Sequence, residues 1–214
     1  MSGRLIVIEG LDGSGKQTQA ELLCERFENS MKISFPDYQS PSSSLIKMYL
    51  NGEFGTNAES VNPYAASTFY AVDRVASYAK NWRQAYENGA LVIADRYVTS
   101  NMIHQGCKVK DLDSYLNWLA DFEYNLLELP RPDTVIFLDV PPPYAALLRK
   151  GRAQKFDGSD IHENDFAYLE KCYKTALYAA EKYDWCVVKC VQNDKFRSKE
   201  EICDEISRVI GGNV

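Results

Sequence analysis

The sequence predicts a three-layer α/β fold, a five-stranded parallel sheet flanked by helices. Three observations carry this. Five short stretches are largely continuous apolar runs rather than alternating ones, as expected of strands covered on both faces. Helical patterns lie between them, and strands alternating with helices imply right-handed crossovers in a parallel sheet. The 214 residues can bury the core of one domain spanning 1–214, and no repeat, low-complexity tract or linker interrupts them.

The strand candidates are RLIVIE (4–9), KISFP (32–36), ALVIAD (90–95), DTVIFLD (133–139) and WCVVKCV (185–191). Helical patterns occupy 16–29, 63–88, 111–128, 163–183 and 198–210. The second starts at Asn62-Pro63, a cap followed by a first-turn proline. The last starts at SKEE, where Ser198 and Glu201 have capping-box spacing. The stretch RKGRAQKFDGSD (149–160) is the least regular and reads as a charged loop. Its basic half contains Arg149, Lys150, Arg152 and Lys155.

Composition narrows the function classes. Apolar residues make up 45% and charged residues 25%, ordinary for a soluble globular protein. The net charge of −6 gives no global field for nucleic acid, so no nucleic-acid partner is expected, although a local basic site stays open. The apolar run after MSGR is too short for a signal peptide or a membrane span, so no membrane role is expected. Six cysteines without a C-x-x-C, beside two histidines, argue against structural zinc. Free thiols in a reducing, cytoplasmic setting are the expectation.

The first site candidate is EGLDGSGKQTQ (9–19). Gly10, Gly15 and Lys16 have the G-x-x-x-x-G-K spacing of a phosphate-binding loop, placed between an apolar strand and a helical pattern. Backbone N–H groups from Gly10 through Thr18 (Gly10, Leu11, Asp12, Gly13, Ser14, Gly15, Lys16, Gln17 and Thr18) can wrap a phosphate, and the helix N-terminus adds a favourable dipole. Lys16 is expected to face solvent and reach the outer phosphates. Gln17 stands where a hydroxyl normally touches Mg²⁺ and offers only a neutral amide oxygen. Asp12 is an acid inside a loop that binds polyanions.

A second candidate is LVIADRYVTSN (91–101), where Asp95 closes a strand and Arg96 follows. Ligands of open parallel sheets gather at the carboxyl ends of strands. A carboxylate there suits Mg²⁺, and a guanidinium suits a phosphate. A third is TFYAVDRVASY, where Tyr70 and Arg74 are four residues apart on one helical face. A ring beside a guanidinium can stack on a planar base and donate to its carbonyl. The same spacing also describes a packing aromatic with an outward arginine. FPDYQSP (35–41) adds Phe35 and Tyr38 after the second strand.

Together these pieces resemble thymidylate kinases, which phosphorylate dTMP to dTDP with ATP. The likeness runs over most of the chain, through IEGLDGSGKQTQ, FPDY, FYAVDR, DRYVTSN, HQG and PDTVIFLDV. It implies the P-loop NTPase fold, ATP as donor, Mg²⁺ as cofactor and a homodimer. It also gives Asp12 a reason, since the family's acid at that place approaches the sugar hydroxyl of the acceptor. By the same resemblance Arg74 matches the arginine near the thymine carbonyl, Tyr70 the stacking aromatic and Arg96 the arginine on the acceptor phosphate. Asn101 and Gln105 match residues near the base edge and sugar. His104 stands where a tyrosine near the sugar's 2′ side is common. Asp95, with Gln17, would hold the metal. Some members carry a further arginine in the phosphate loop, but Asp12, Gly13 and Ser14 leave no base here. The resemblance then puts the missing cation on a mobile lid around 149–160, Arg152 first, with Arg149 beside ATP.

Two other readings stay open on sequence. A deoxynucleoside kinase acting on thymidine would need a carboxylate after the second strand, and Asp37 lies close to that place. A P-loop ATP-binding switch would transfer nothing, although no guanine-reading N-K-x-D segment occurs.

Overall fold

The structure, a computed structural model, describes residues 2–55, 60–153 and 166–211. Five parallel strands form the central sheet: β1 (Arg4–Glu9), β2 (Ser30–Ser34), β3 (Leu91–Asp95), β4 (Thr134–Asp139) and β5 (Cys186–Lys189), in the spatial order β2-β3-β1-β4-β5. β1 is central, and its Leu5, Ile6, Val7 and Ile8 are fully buried. The chain moves from β1 to β2 and β3 on one side, then crosses β1 to reach β4. The crevice between β1 and β3 is therefore the topological switch point, where open α/β sheets bind ligands.

Helices cover both faces: α1 (Lys16–Arg26), α2 (Ser44–Leu50), α3 (Pro63–Ser77), α4 (Arg83–Glu87), α5 (Val98–His104), α6 (Leu112–Ala120), α7 (Pro142–Ala153), α8 (Phe166–Lys182) and α9 (Lys199–Gly211). The expected caps are in place. Asn62 accepts from the Tyr64 amide at 2.8 Å. Ser198 and Glu201 make the reciprocal capping box, Ser198 N to Glu201 Oε2 at 2.9 Å and Glu201 N to Ser198 Oγ at 3.2 Å. No helix among the described residues is long and apolar enough to cross a membrane.

The structure corrects several boundaries. The strand expected at 32–36 runs from Ser30 to Ser34, because Pro36 has no N–H to continue a ladder. The strand expected at 185–191 stops at Lys189, and Val191–Gln192 pairs antiparallel with Lys195–Phe196. Asn193 and Asp194, at φ 49° and 58°, make the two-residue turn that reverses the chain. The pattern at 63–88 is helical throughout, but Tyr78–Trp82 is a π-helical turn between α3 and α4. That turn buries Trp82 among Tyr78, Tyr86 and Tyr97, with ring centroids 4.5, 6.0 and 6.3 Å away. A second π-helical turn, Asp121–Leu126, follows α6.

The stretch 149–160 is not loop from its start. Residues 149–153 continue α7, which opens at Pro142 in a proline-rich run and propagates through alanines and leucines. Lys155 and the rest of that stretch lie outside the described residues.

Candidate active site

The glycine loop leaves β1 and wraps the N-terminus of α1. Gly10 and Gly15 have φ of 155° and 92°, conformations that favour glycine. A Cβ on Gly10 would also lie 2.4 Å from the Ser14 hydroxyl. No side chain caps α1, and no acidic residue occupies its first turn, so its leading N–H groups remain available to an anion. The buried Ser14 hydroxyl has no hydrogen-bond partner among the described residues.

Lys16 departs from expectation. It is buried rather than solvent-facing, and its Nζ donates to the Gly10 and Leu11 carbonyls at 3.0 and 2.9 Å. The ammonium folds back over its own loop because those carbonyls are the nearest strong acceptors. Burial and the neighbouring Arg96 lower its pKa to about 8, against the pull of Asp12, Asp95 and Glu9.

Across the crevice, Ile8 of β1 pairs with Asp95 of β3, so the glycine loop and the Asp95-Arg96 corner sit side by side. Arg96 has φ of 70°, a left-handed conformation uncommon for a side chain this large. Its amide donates to the Ile8 carbonyl at 3.1 Å. Its guanidinium is ion-paired to Asp12, donates to Ser100 Oγ at 3.2 Å and meets His104 Nε2 at 3.1 Å. Burial alone would weaken its hold on the proton, but Asp12, Glu9 and Asp95 outweigh that and raise the pKa further. Asp12 thus serves as a counter-ion to Arg96 as well as a loop residue.

His104 is pushed down to a pKa of about 3 by burial and by the Arg96 charge, so its ring is neutral. A guanidinium has no acceptor, so Nε2 accepts from Arg96 and the ring proton sits on Nδ1.

A cleft of about 380 Å³ opens at this corner. Asp12, Phe35, Tyr38, Tyr70, Arg74, Arg96, Asn101, His104 and Gln105, all singled out from the sequence, line it together with Gln17 and Asp95. Tyr97, Ser100 and Tyr168 are further lining residues. The residues come from five parts of the chain that only the parallel sheet gathers at one edge. Asp37 is not among the lining residues, and its carboxylate accepts from the Gln39 amide at 3.2 Å. A base for a thymidine hydroxyl is therefore not placed where that reading needs it.

Three anchoring residues were not legible in the sequence. Glu9 is fully buried at the end of β1 and accepts from the Tyr97 amide at 3.3 Å, Thr99 Oγ1 at 2.7 Å and Ser100 Oγ at 2.9 Å. It caps the start of α5 and sets the Arg96 corner. Burial raises its pKa, and Arg96, Thr99, Lys16 and Ser100 pull it back. Ser100, which links Glu9 to Arg96, is the second. Glu123, on the π-helical turn after α6, is the third: it accepts from Arg74 Nε and Nη2 at 2.6 and 2.5 Å, both residues being buried. Arg74 also reaches the Tyr97 carbonyl at 3.4 Å. The outward arginine allowed by the helical spacing is excluded. Arg74 lines the cleft, and its remaining N–H groups are the ones a bound ring could use.

A Mg²⁺ ion fits Asp95 better than Gln17. Asp95 Oδ1 is buried and has no partner among the described residues, and a hard oxygen donor suits that ion. Gln17 is exposed and directs its amide N–H₂ at Glu21 Oε1, 3.0 Å away. No cluster of three or more metal-binding side chains occurs among the described residues, so nucleotide oxygens and water would complete any coordination. The backbones of Arg149 and Arg152 lie in the last turn of α7; their side chains are outside the described ones.

The family model described as thymidylate kinase matches residues 8–202. A probable thymidylate kinase of Saccharolobus solfataricus is 30% identical over 212 residues, covering 99% of this chain and 98% of that protein. The thymidylate kinase of Mycobacterium tuberculosis is 34% identical over 172 residues, covering 75% of this chain and 78% of that protein. Among solved structures, the thymidylate kinase of Candida albicans shares the fold with a TM-score of 0.74 at 24% identity, covering 99% of this chain and 92% of that one. That of Ehrlichia chaffeensis has a TM-score of 0.67 at 20% identity, covering 98% and 100%. With the family match spanning nearly the whole chain, including the glycine loop and the Asp95-Arg96 corner, the chain belongs to the thymidylate kinase family, ATP-dependent nucleoside monophosphate kinases.

Proposed function

We propose that this chain moves the γ-phosphate of ATP to dTMP across the crevice between β1 and β3, as one kinase domain. One observation carries the reading. The uncapped α1 N-terminus with Lys16 adjoins a cleft lined by Arg96, Arg74 and Tyr70, so donor and acceptor would share one corner. Residues Gly10 to Thr18, with Arg149, would hold ATP. Phe35, Tyr38, Tyr70, Arg74, Arg96, Asn101, His104 and Gln105 would hold dTMP.

The chemistry follows from charge placement. An acceptor phosphate entering the cleft would meet Arg96, displacing its pairing with Asp12 and freeing that carboxylate to accept from the sugar hydroxyl. Lys16 would leave its carbonyls for the donor phosphates. Transfer then rests on alignment and neutralisation of equatorial oxygens, and an already anionic acceptor needs no strong base. Mg²⁺, held from Asp95, would supply further charge neutralisation. A homodimer and a cytoplasmic location belong to the same proposal. Purified protein with ATP and dTMP should form dTDP, while thymidine as acceptor should give no product. The reverse preference would favour the nucleoside kinase, and no product with either would favour the switch.

The segment around 149–160 would close over the donor and supply the missing cation. Arg152→Ala should lower kcat about 10²-fold and change the KM for dTMP little, as for a charge-stabilising donor met in the transition state. A normal kcat for this variant would remove Arg152 from the reaction.

His104 should set sugar choice. Imidazole leaves more room than a phenol ring beside the sugar. His104→Tyr should raise the preference for dTMP over its ribo counterpart by about 10- to 200-fold in kcat/KM. An unchanged ratio would make the histidine a packing residue only.

A further inference from the structure

Cys107 lies in the short turn Gly106–Lys108 after α5, and Cys172 lies in α8, which packs against both. Their sulfurs are 3.5 Å apart. Cys107 is half-buried and Cys172 is buried. The pair touches the acceptor cleft through one residue. Cys172 Sγ is 3.6 Å from His104 Nδ1, and Cys107 Sγ is 3.4 Å from the His104 carbonyl, which also accepts from Tyr168 at 3.2 Å. The other ring nitrogen of His104 meets Arg96 at 3.1 Å. A continuous line of contacts thus runs from Cys107 through Cys172 and His104 to Arg96. His104 and Tyr168 are both cleft residues.

We propose that Cys107 and Cys172 are a redox-active thiol pair, bridged by a peroxide and released by a dithiol, whose bridge weakens acceptor binding at the adjoining cleft. The effect on binding rests on the dTMP reading given above; the bridge does not. Cys107, the less buried of the two, is the attacking thiol. Its contact with Cys172 lowers its pKa despite partial burial, with Lys108 and Lys171 adding to this. Such thiolates are the ones peroxides oxidise. The Cys107 thiolate attacks one peroxide oxygen, the O–O bond breaks, and the departing hydroxide takes up the thiol's proton as water. Cys172 sulfur then attacks the Cys107 sulfenic sulfur. The S–S bond forms, the S–O bond breaks, and hydroxide leaves with the Cys172 proton as a second water. Two thiols lose two electrons and two protons, and the peroxide is reduced to two waters.

A disulfide places its sulfurs about 2.05 Å apart, so the present separation must close by roughly 1.5 Å. That movement draws α8 toward the turn after α5 and pulls the Cys172 sulfur from its place beside His104 Nδ1. The histidine loses a neighbour that orients its ring, and Arg96 loses a fixed acceptor. Misplacement on this scale should raise the KM for dTMP by about tenfold or more.

The test uses the reduced full chain, whose dTDP formation is measured first. Hydrogen peroxide is then added, and peptides are mapped by mass. Expected are a Cys107–Cys172 cross-link, a fall from six titratable thiols to four, and a raised dTMP KM that dithiothreitol restores. Cys107→Ser should show wild-type activity when reduced, no cross-link, and a KM indifferent to peroxide. Over-oxidation of Cys107 without a bridge, a bridge with an unchanged KM, or equal peroxide sensitivity in Cys107→Ser would each overturn the proposal. A reduced chain that forms no dTDP would instead defeat the dTMP reading, while the peptide map still decides whether the thiols pair.

Discussion

Lys16→Ala should cut kcat by about 10³-fold, the upper range for losing one group that stabilises transition-state charge. The fold should survive. Lys16 is buried, but its hydrogen-bond partners are two backbone carbonyls rather than a carboxylate, and Arg96 stays as the cation beside Asp12, Glu9 and Asp95. Thermal melting at pH 7 should hold or rise, because a buried ammonium carries a desolvation cost. The pH dependence has a definite sign. The folded pKa near 8 lies below the ordinary 10.5 of the unfolded chain. The unfolded chain therefore binds more protons between those values. The penalty is present in full below about pH 8 and is relieved as pH rises toward 10.5, by roughly 3 kcal/mol in all. Wild-type stability should gain on Lys16→Ala over that window, in paired melts. Phosphates meeting Lys16 should raise its pKa again. Calorimetry at pH 8.5 in two buffers should then report uptake of about half a proton or more on ATP binding. Near-normal turnover in Lys16→Ala would remove this loop from the donor site.

Glu123→Ala should be the most destabilising single change near the cleft. It leaves the Arg74 guanidinium buried without its bidentate partner. Breaking a buried pair from one side costs about 3–5 kcal/mol. For a chain of this size that is a fall in Tm of about 6–20 °C. Glu123→Gln keeps the shape and one acceptor, so it should lose less stability while the KM for dTMP still rises, because Arg74 is no longer fixed in plane. Scanning calorimetry and dTMP kinetics on the two variants check this. A Glu123→Ala protein as stable as wild type would mean that Arg74 finds another acceptor, against the geometry seen here.

Much of the architecture was legible without coordinates. The strands β1, β3 and β4 stand out because a strand buried on both faces must be apolar throughout. The caps at Asn62 and Ser198 were readable because they satisfy local donors with local acceptors. Less readable were α2, α5 and the start of α7, short or proline-led helices too brief to show a full period of apolar spacing. The two π-helical turns were invisible, since each is set by what the helix meets: Trp82 seeking its aromatic neighbours, Glu123 seeking Arg74.

The site divides in the same way. The glycine loop and the Asp95-Arg96 step are local in the chain, and their chemistry is written in adjacent residues. All nine residues expected around the acceptor do line one cleft, because the sheet brings the ends of β1, β2 and β3 to one edge. Their charge states and orientations were settled only by packing. Lys16 turns inward, Arg96 takes Asp12 as counter-ion, and His104 is neutral because it is buried with a guanidinium at its ring. Glu9 broke an apolar run and looked like a strand end; in the fold it caps a helix that begins 89 residues later in the chain. Sequence local to a motif records which groups can react. Which partner each group faces depends on contacts between distant segments, and those exist only once the sheet has formed.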